Sequence, residues 1–212
     1  SLPNAARNSY LLFLIARLIF RLPKELFHFR ANSILLRASD MESLYTRSSK
    51  LSIRPLSSKT DINSFHMRAI RNLVLRSHIS SALDVGCGSG FLIHNLDRWL
   101  PSVEKLVGID YNEPPSRFPA RHQAQCEKSI FISGDIISNL KQISSASYDI
   151  VFLTHVLEHV LDPFHLVEEL RRISRGILVI IIPLEKPFKW GMNYHINFYP
   201  SSSQFLEFIN QK

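Results

Sequence analysis

Residues 155–159 read His-Val-Leu-Glu-His. Two histidines four residues apart share one helix face, and a glutamate beside them completes the set with which a bound zinc ion and a general base hydrolyse substrates. A second set lies upstream, at Asp84-Val-Gly-Cys-Gly-Ser-Gly90, where glycines alternate at 86, 88 and 90. Lacking Cβ, they let the chain turn tightly and let a ligand approach the backbone itself. Asp110 and Asp135 each end an apolar run, as carboxylates able to accept hydrogen bonds from hydroxyl or amino groups. Residues 189–200 interleave Trp190, Tyr194, His195, Phe198 and Tyr199.

These residues need elements to hold them. From residue 81 onward, short β-rich runs alternate with helical stretches. The runs cover 82–86, 105–110, 129–133, 148–154 and 176–183, each nearly continuous in apolar residues, as strands buried on both faces are. Helical periodicity covers 91–100 and 163–174, and a helix capped by Asn63 or Ser64 is expected to run to about residue 78. The alternation predicts a doubly wound, mainly parallel Rossmann-like α/β sheet with flanking helices. In that frame the glycine loop follows the first strand and opens a helix, whose free N–H groups suit a carboxylate or phosphate.

The glycine spacing separates two ligand classes. A dinucleotide fingerprint starting at Gly86 would need glycine at position 91, which is Phe91. The third glycine comes one residue early, and Asp84 stands two places before the first. Here the chain resembles the class I S-adenosylmethionine-dependent methyltransferases, whose first motif is an acidic residue followed by G-x-G-x-G. The run His155 to Pro163 resembles a stretch of the branch that includes quinone-biosynthesis O-methyltransferases and many small-molecule methyltransferases. The resemblance spans about residues 64–208 and implies S-adenosyl-L-methionine as cofactor. It implies cofactor contacts from Asp84, Gly86, Cys87, Gly88 and Gly90, from Asp110 to the ribose hydroxyls, and from Asp135 and Ile136 to the adenine, with Thr154 at the end of the fourth strand. The family sheet normally closes with a C-terminal β-hairpin after the last helix. The helix expected at 201–212 uses the remaining residues, so the sequence holds none for that hairpin.

Within this frame the His-Val-Leu-Glu-His string begins the turn after the fourth strand. The inverted zinc peptidases place the same pattern well inside a helix and add a distant third ligand. The expectation is therefore no metal, a loop-bonding role for Glu158 and His159, and His155 at the cofactor-facing rim. There a histidine can serve as the base that removes a hydroxyl proton, with His195 a second candidate. The aromatic residues of 189–200 would wall the acceptor site.

Residues 1–80 hold 13 Lys/Arg against 4 Asp/Glu, a net +9, whereas the remainder is close to neutral. The chain therefore divides into a basic helical extension and linker (1–63) and a cofactor-binding domain (64–212). Residues 10–22 predict an amphipathic helix interrupted by Arg17 and Arg21, too short to span a bilayer. It would dock on the protein's own core or, with the rest of 1–36, touch an anionic membrane. It is too apolar for a nucleic-acid strip. Cys87 and Cys126 form no C-x-x-C pair, which fits a reducing, cytoplasmic setting with peripheral membrane contact. The function expected is methyl transfer to a small molecule, with lipid-linked compounds and sugars among the acceptors. The alternative is a methyltransferase-fold binding module without catalysis.

Overall fold

Five apolar runs become five parallel strands in the computed structural model: β1 (Ser81–Val85), β2 (Lys105–Asp110), β3 (Ser129–Ser133), β4 (Tyr148–Thr154) and β5 (Ser174–Ile181). The structure describes residues 8–20, 26, 29–30, 62–112, 128–190 and 194–210, without the side chains of 16–20. The expected linker as far as residue 61, most of the basic stretch 1–36 and the Arg17 and Arg21 side chains lie outside the described residues. The strand order is β3-β2-β1-β4-β5, with β1 paired in parallel to both β2 and β4. The direction of winding therefore reverses between β1 and β4. At such a switch point the loops leaving the two strands diverge and open a crevice at their carboxyl ends.

The helices are α1 (Tyr10–Phe20), α2 (Ser64–Leu75), α3 (Phe91–Trp99), α4 (Ile136–Lys141), α5 (Pro163–Ile173) and α6 (Ser202–Asn210). Their starts follow the local chemistry. Asn63 accepts from the His66 N–H at 2.9 Å and Asp162 from the His165 N–H at 3.0 Å, with Pro163 in the first turn of α5. Leu166, Val167, Leu170 and Ile173 form the buried stripe of α5, each contributing roughly 1.5–3 kcal/mol by leaving water. Two apolar clusters result. One contains Leu83, Val151, Leu157 and the α5 stripe; the other contains Ala82, Phe152, Ile70, Val74 and the α3 residues Leu92, Ile93 and Leu96.

Two expectations change, and of the two positions expected for the N-terminal helix the first is seen. The run 129–133 is not buried on both faces: β3 is a sheet edge and leaves Ile130 54 % and Ile132 36 % exposed. The last strand begins at Ser174, and a short helix, α4, follows β3. The N-terminal helix docks on the chain itself. Phe13, Leu26 and Phe29 are buried against Trp190, Tyr194 and Ile196, the segment that follows β5. No helix of the described residues is long and apolar enough to cross a membrane.

At the amino-terminal end of the sheet, Asp149 ties three strands together. Its Oδ2 accepts from the N–H groups and hydroxyls of Ser80 and Ser81 at 2.8–3.0 Å. Its Oδ1 accepts from Arg175 Nε at 2.9 Å and from Arg175 Nη2. Burial opposes ionisation, but the bonds from Arg175, Ser80 and Ser81 outweigh it and hold the carboxyl well below the usual range. A depressed folded-state pKa gives stability that is present above the unfolded value and lost as pH falls through the folded one. We therefore expect Asp149→Asn to lower stability at pH 7 by roughly 1.5–3 kcal/mol and to flatten the acid limb of the stability curve. Urea melts at a series of pH values check both, and parallel acid limbs in the two proteins would remove Asp149 as their cause.

Candidate functional site

The glycine loop is held down on β2. The Gly86 and Cys87 N–H groups both donate to the Ile109 carbonyl, at 2.7 and 3.0 Å. Gly86 has φ +73°, and a Cβ there would stand 2.1 Å from Val156 Cγ2. Only glycine meets both conditions. Gly88, with φ +51°, differs: no heavy atom lies within 4 Å of its Cβ direction, so the loop presents bare backbone to open space. Gly90, φ +73°, caps α3 without a side-chain hydrogen bond.

Two carboxylates lie under this loop. Asp84 is 1 % exposed, and its Oδ1 has no hydrogen-bond partner. Burial, with a further contribution from Asp110, pushes its carboxyl up to about 7. Asp110 closes the loop: its Oδ2 accepts from the Gly88 N–H at 2.8 Å and its Oδ1 from the Asn112 N–H at 3.0 Å. Each oxygen keeps a lone pair for a further donor. Cys87 is a buried thiol whose pKa is driven upward by burial and then by Asp84 and Asp110, so it is inert at neutral pH. The arrangement suits a ligand with a cationic part for Asp84, hydroxyls for Asp110 and an anionic group for the α3 amino terminus. That set matches S-adenosylmethionine.

Asp135 is more structural than the sequence suggests. Its Oδ1 caps α4 by accepting from the Ser138 N–H at 2.8 Å, and its Oδ2 accepts from the Tyr111 hydroxyl at 3.0 Å. Burial raises its pKa, but the bonds from Ser138 and Tyr111 prevail and keep it ionised. Ile136 is buried in the core, and Thr154 ends β4, 9 % exposed and paired with Ile181.

Facing the glycine loop, β4 ends in a turn that is no helix face. His155 has φ +54°, unusual for a residue with a side chain, and its N–H donates to the Ile181 carbonyl at 2.9 Å. Leu157–His159 form a single 3-10 turn, so His155 and His159 do not stack one helical turn apart. His155 Nδ1 instead donates to Glu158 Oε1 at 3.2 Å. Glu158 is 1 % exposed and its Oε2 has no hydrogen-bond partner. The chain after β5 returns to this turn. The N–H groups of Ile196 and Asn197 donate to the Glu158 carbonyl at 2.8 and 3.1 Å, and the Asn197 side-chain amide donates to the carbonyls of Leu157 and Val160. His195 is thereby brought edge-on to His159, with ring centroids 4.8 Å apart, while its Nδ1 meets Glu185. His155 and His195 thus meet through Glu158 and His159.

Asn197, Glu185 and Arg30 were absent from the sequence reading. Arg30 is 2 % exposed; its Nη1 donates to the His195 carbonyl at 2.9 Å, and its guanidinium lies over the rings of Phe29 and Phe188. Burial lowers its pKa to about 10 against the raising effect of Glu185. Two of these carry a sequence signal, since Asn197 stands two places after His195 and Glu185 ten before it. Arg30 carries none, because its partners are 165 residues away.

Residues 83–180 match the family model described as a methyltransferase domain. The chain is 32 % identical over 93 residues to a ubiquinone biosynthesis O-methyltransferase of Hahella chejuensis, covering 44 % of this chain and 38 % of the relative. A protein of the same description from Nitrosococcus oceani is 32 % identical over 104 residues, covering 47 % of this chain and 41 % of that one. The chain thus spans about two fifths of the length of these curated relatives. Among solved structures, a SAM-dependent methyltransferase from Archaeoglobus fulgidus aligns over 69 % of this chain and 67 % of its own, at 22 % identity and a TM-score of 0.50, and so shares the fold. Residues 83–180, which the family model matches, hold the glycine loop over Asp84 and Asp110 within the sheet order β3-β2-β1-β4-β5, so the chain has a Rossmann-like methyltransferase fold.

Proposed function

We propose that this protein transfers a methyl group from S-adenosylmethionine to an oxygen of a small molecule. The observation that carries this reading is the buried Asp84 oxygen without a partner, beside a second carboxylate and under a backbone loop open at Gly88. A buried carboxylate needs a cation or a donor, and the cofactor's ammonium and sulfonium supply positive charge. When bound, S-adenosylmethionine offers a methyl group on sulfur, which departs as a neutral thioether. The chain's part is then orientation, exclusion of water and handling of the acceptor proton. His155, at the rim and oriented by Glu158 Oε1, is the base that takes that proton; His195 lies farther along the same turn. The oxygen acceptor follows the relatives, whose names describe O-methyl transfer in ubiquinone biosynthesis. A lipid-linked hydroxyl therefore leads over a sugar.

The cofactor half is testable without an acceptor. Ligand cations favour ionised Asp84, so its pKa should fall from about 7 on binding and a proton should be released below that pH. Affinity for S-adenosylhomocysteine should rise as pH approaches 7 and then level off. Asp84→Asn should remove the slope and weaken binding by roughly ten- to a hundredfold, the equivalent of one bond to a charged group. Calorimetry at several pH values, with NAD as a competitor, measures this, and a flat profile in the wild type would sink the role of Asp84.

For the base, His155→Asn is the suitable variant, because asparagine tolerates positive φ. Turnover with a tritiated methyl donor and a panel of phenols, sugars and lipid-linked hydroxyls should fall by about 10²–10⁴-fold, with homocysteine-cofactor affinity little changed. Undiminished turnover would remove His155 from proton transfer. Tight cofactor binding without turnover on any hydroxyl acceptor would instead favour the non-catalytic binding module.

Peripheral membrane contact is the second part of the proposal. Leu11, Leu12 and Ile15 of α1 are 66 %, 47 % and 43 % exposed while Phe13 holds the helix to the protein. Together with the +9 charge of residues 1–80, this favours an anionic surface, at about 1 kcal/mol per nearby Lys or Arg. Co-sedimentation with phosphatidylserine vesicles should be salt-sensitive and weaken in a Leu11→Ser, Ile15→Ser variant; equal pelleting would argue against α1 as the contact.

A further inference from the structure

Both oxygens of Asp135 are taken from within the chain. Oδ1 accepts from the Ser138 N–H at 2.8 Å and so caps α4, and Oδ2 accepts from the Tyr111 hydroxyl at 3.0 Å. The first bond belongs to the start of the helix and lasts as long as α4 does. The second comes from a different element. Tyr111 directly follows Asp110, the last residue of β2, while β3 ends at Ser133 beside Asp110 and leads through Gly134 to Asp135. The Gly134 N–H donates to the Asp110 carbonyl at 2.9 Å, which holds the two strand ends together. The Tyr111 side chain therefore crosses from the end of β2 to the start of α4. Its ring is partly buried against the core cluster that contains Ile136 and Leu140.

That crossing coincides with the path of a ligand. In the cofactor reading, on which this inference rests, the ribose hydroxyls go to Asp110 and the adenine amino group to Asp135. A nucleoside that touches both carboxylates spans the same gap as the Tyr111 side chain. At Asp110 each oxygen holds one backbone N–H and keeps a lone pair for a hydroxyl. At Asp135, Oδ1 is committed to the helix, so the amino group needs Oδ2. That oxygen also has a second lone pair, but a base reaching it from Asp110 meets the tyrosine ring on the way. We infer that Tyr111 is a latch on the nucleoside half of the site: its hydroxyl holds Asp135 Oδ2 in the free protein and releases it to the amino group of the incoming base. One donor replaces another on the same oxygen, so the bond made in the free protein opposes binding. Apparent affinity is then the intrinsic affinity reduced by the fraction of molecules whose latch is open.

Tyr111→Phe removes the hydroxyl and keeps the ring. Calorimetric titration of S-adenosylhomocysteine into the full chain should show about 3- to 10-fold tighter binding in the variant, the equivalent of one ordinary net hydrogen bond. Because the latch acts on the free protein alone, stopped-flow mixing should place the gain in the association rate and leave dissociation unchanged. Wild type isotope-labelled at tyrosine Cζ should show one resonance, absent in Tyr111→Phe, that shifts on saturation as the phenol leaves the carboxylate. Thermal melts of both free proteins report folding. Equal or weaker binding in folded Tyr111→Phe, or an unmoved Tyr111 resonance in saturated wild type, overturns the latch and leaves Tyr111 as a brace between β2 and α4. Binding in neither folded protein refutes the cofactor reading and the latch with it, an outcome distinct from equal binding in both.

Discussion

Val156 Cγ2 stands where a side chain on residue 86 would begin, 2.1 Å from that Cβ position. This contact joins the loop after β1 to the turn after β4, on the two strands between which the winding direction reverses. Because the loops touch there, the loop that runs over Asp84 and Asp110 lies beside the turn that carries His155 and Glu158. The backbone conformation on both sides follows. Gly86 takes positive φ without cost, whereas His155 takes it with a side chain and needs compensation. Its N–H bond to Ile181 and its Nδ1 bond to Glu158 supply that compensation. Strain of this kind persists only where the surroundings over-determine it.

The two ends of the sheet treat buried charge differently. At the amino end Asp149 is saturated by Ser80, Ser81 and Arg175, and the cluster faces no crevice residue. At the carboxyl end Asp84 Oδ1 and Glu158 Oε2 are buried without partners. Folding alone would favour the first arrangement everywhere, since each unsatisfied buried oxygen costs about 1–3 kcal/mol. Among the described residues, Asp84 and Glu158 are the two carboxylates that the fold buries with an oxygen left over.

The strands and the glycine loop were legible because their signals are local. Continuous apolar runs mark buried strands, and the position of one glycine separates a carboxylate loop from a phosphate loop. β3 misled because Ile130 and Ile132 look like a core strand, while their exposure depends on which strand lies at the edge, a fact of topology. At Asp135 a carboxylate at a strand end suits a ligand and an N-cap alike; the cap on the short α4 was not legible, because α4 itself was not. The His-Val-Leu-Glu-His string was half read. Its strand-to-turn context was legible and Leu157–His159 form a 3-10 turn, but His195 enters from 36 residues beyond His159, and no periodicity announces that return.

What orders that return is a backbone constraint more than a side-chain one. Residues 194–199 have no helix or strand of their own, so their polar groups must be satisfied elsewhere. Glu158 supplies one carbonyl for two N–H groups, and Asn197 returns two bonds to the turn. The outer side of the same segment is covered by Phe13, Leu26 and Phe29, and Arg30 reaches through that cover to the His195 carbonyl. His195 is thus held between a polar strap beneath and an apolar cap above. The cap belongs to the N-terminal region, which the charge pattern set apart as an extension. Its packing on Trp190 and Tyr194 ties it to the segment after β5, and Arg30 couples it to the His195 carbonyl.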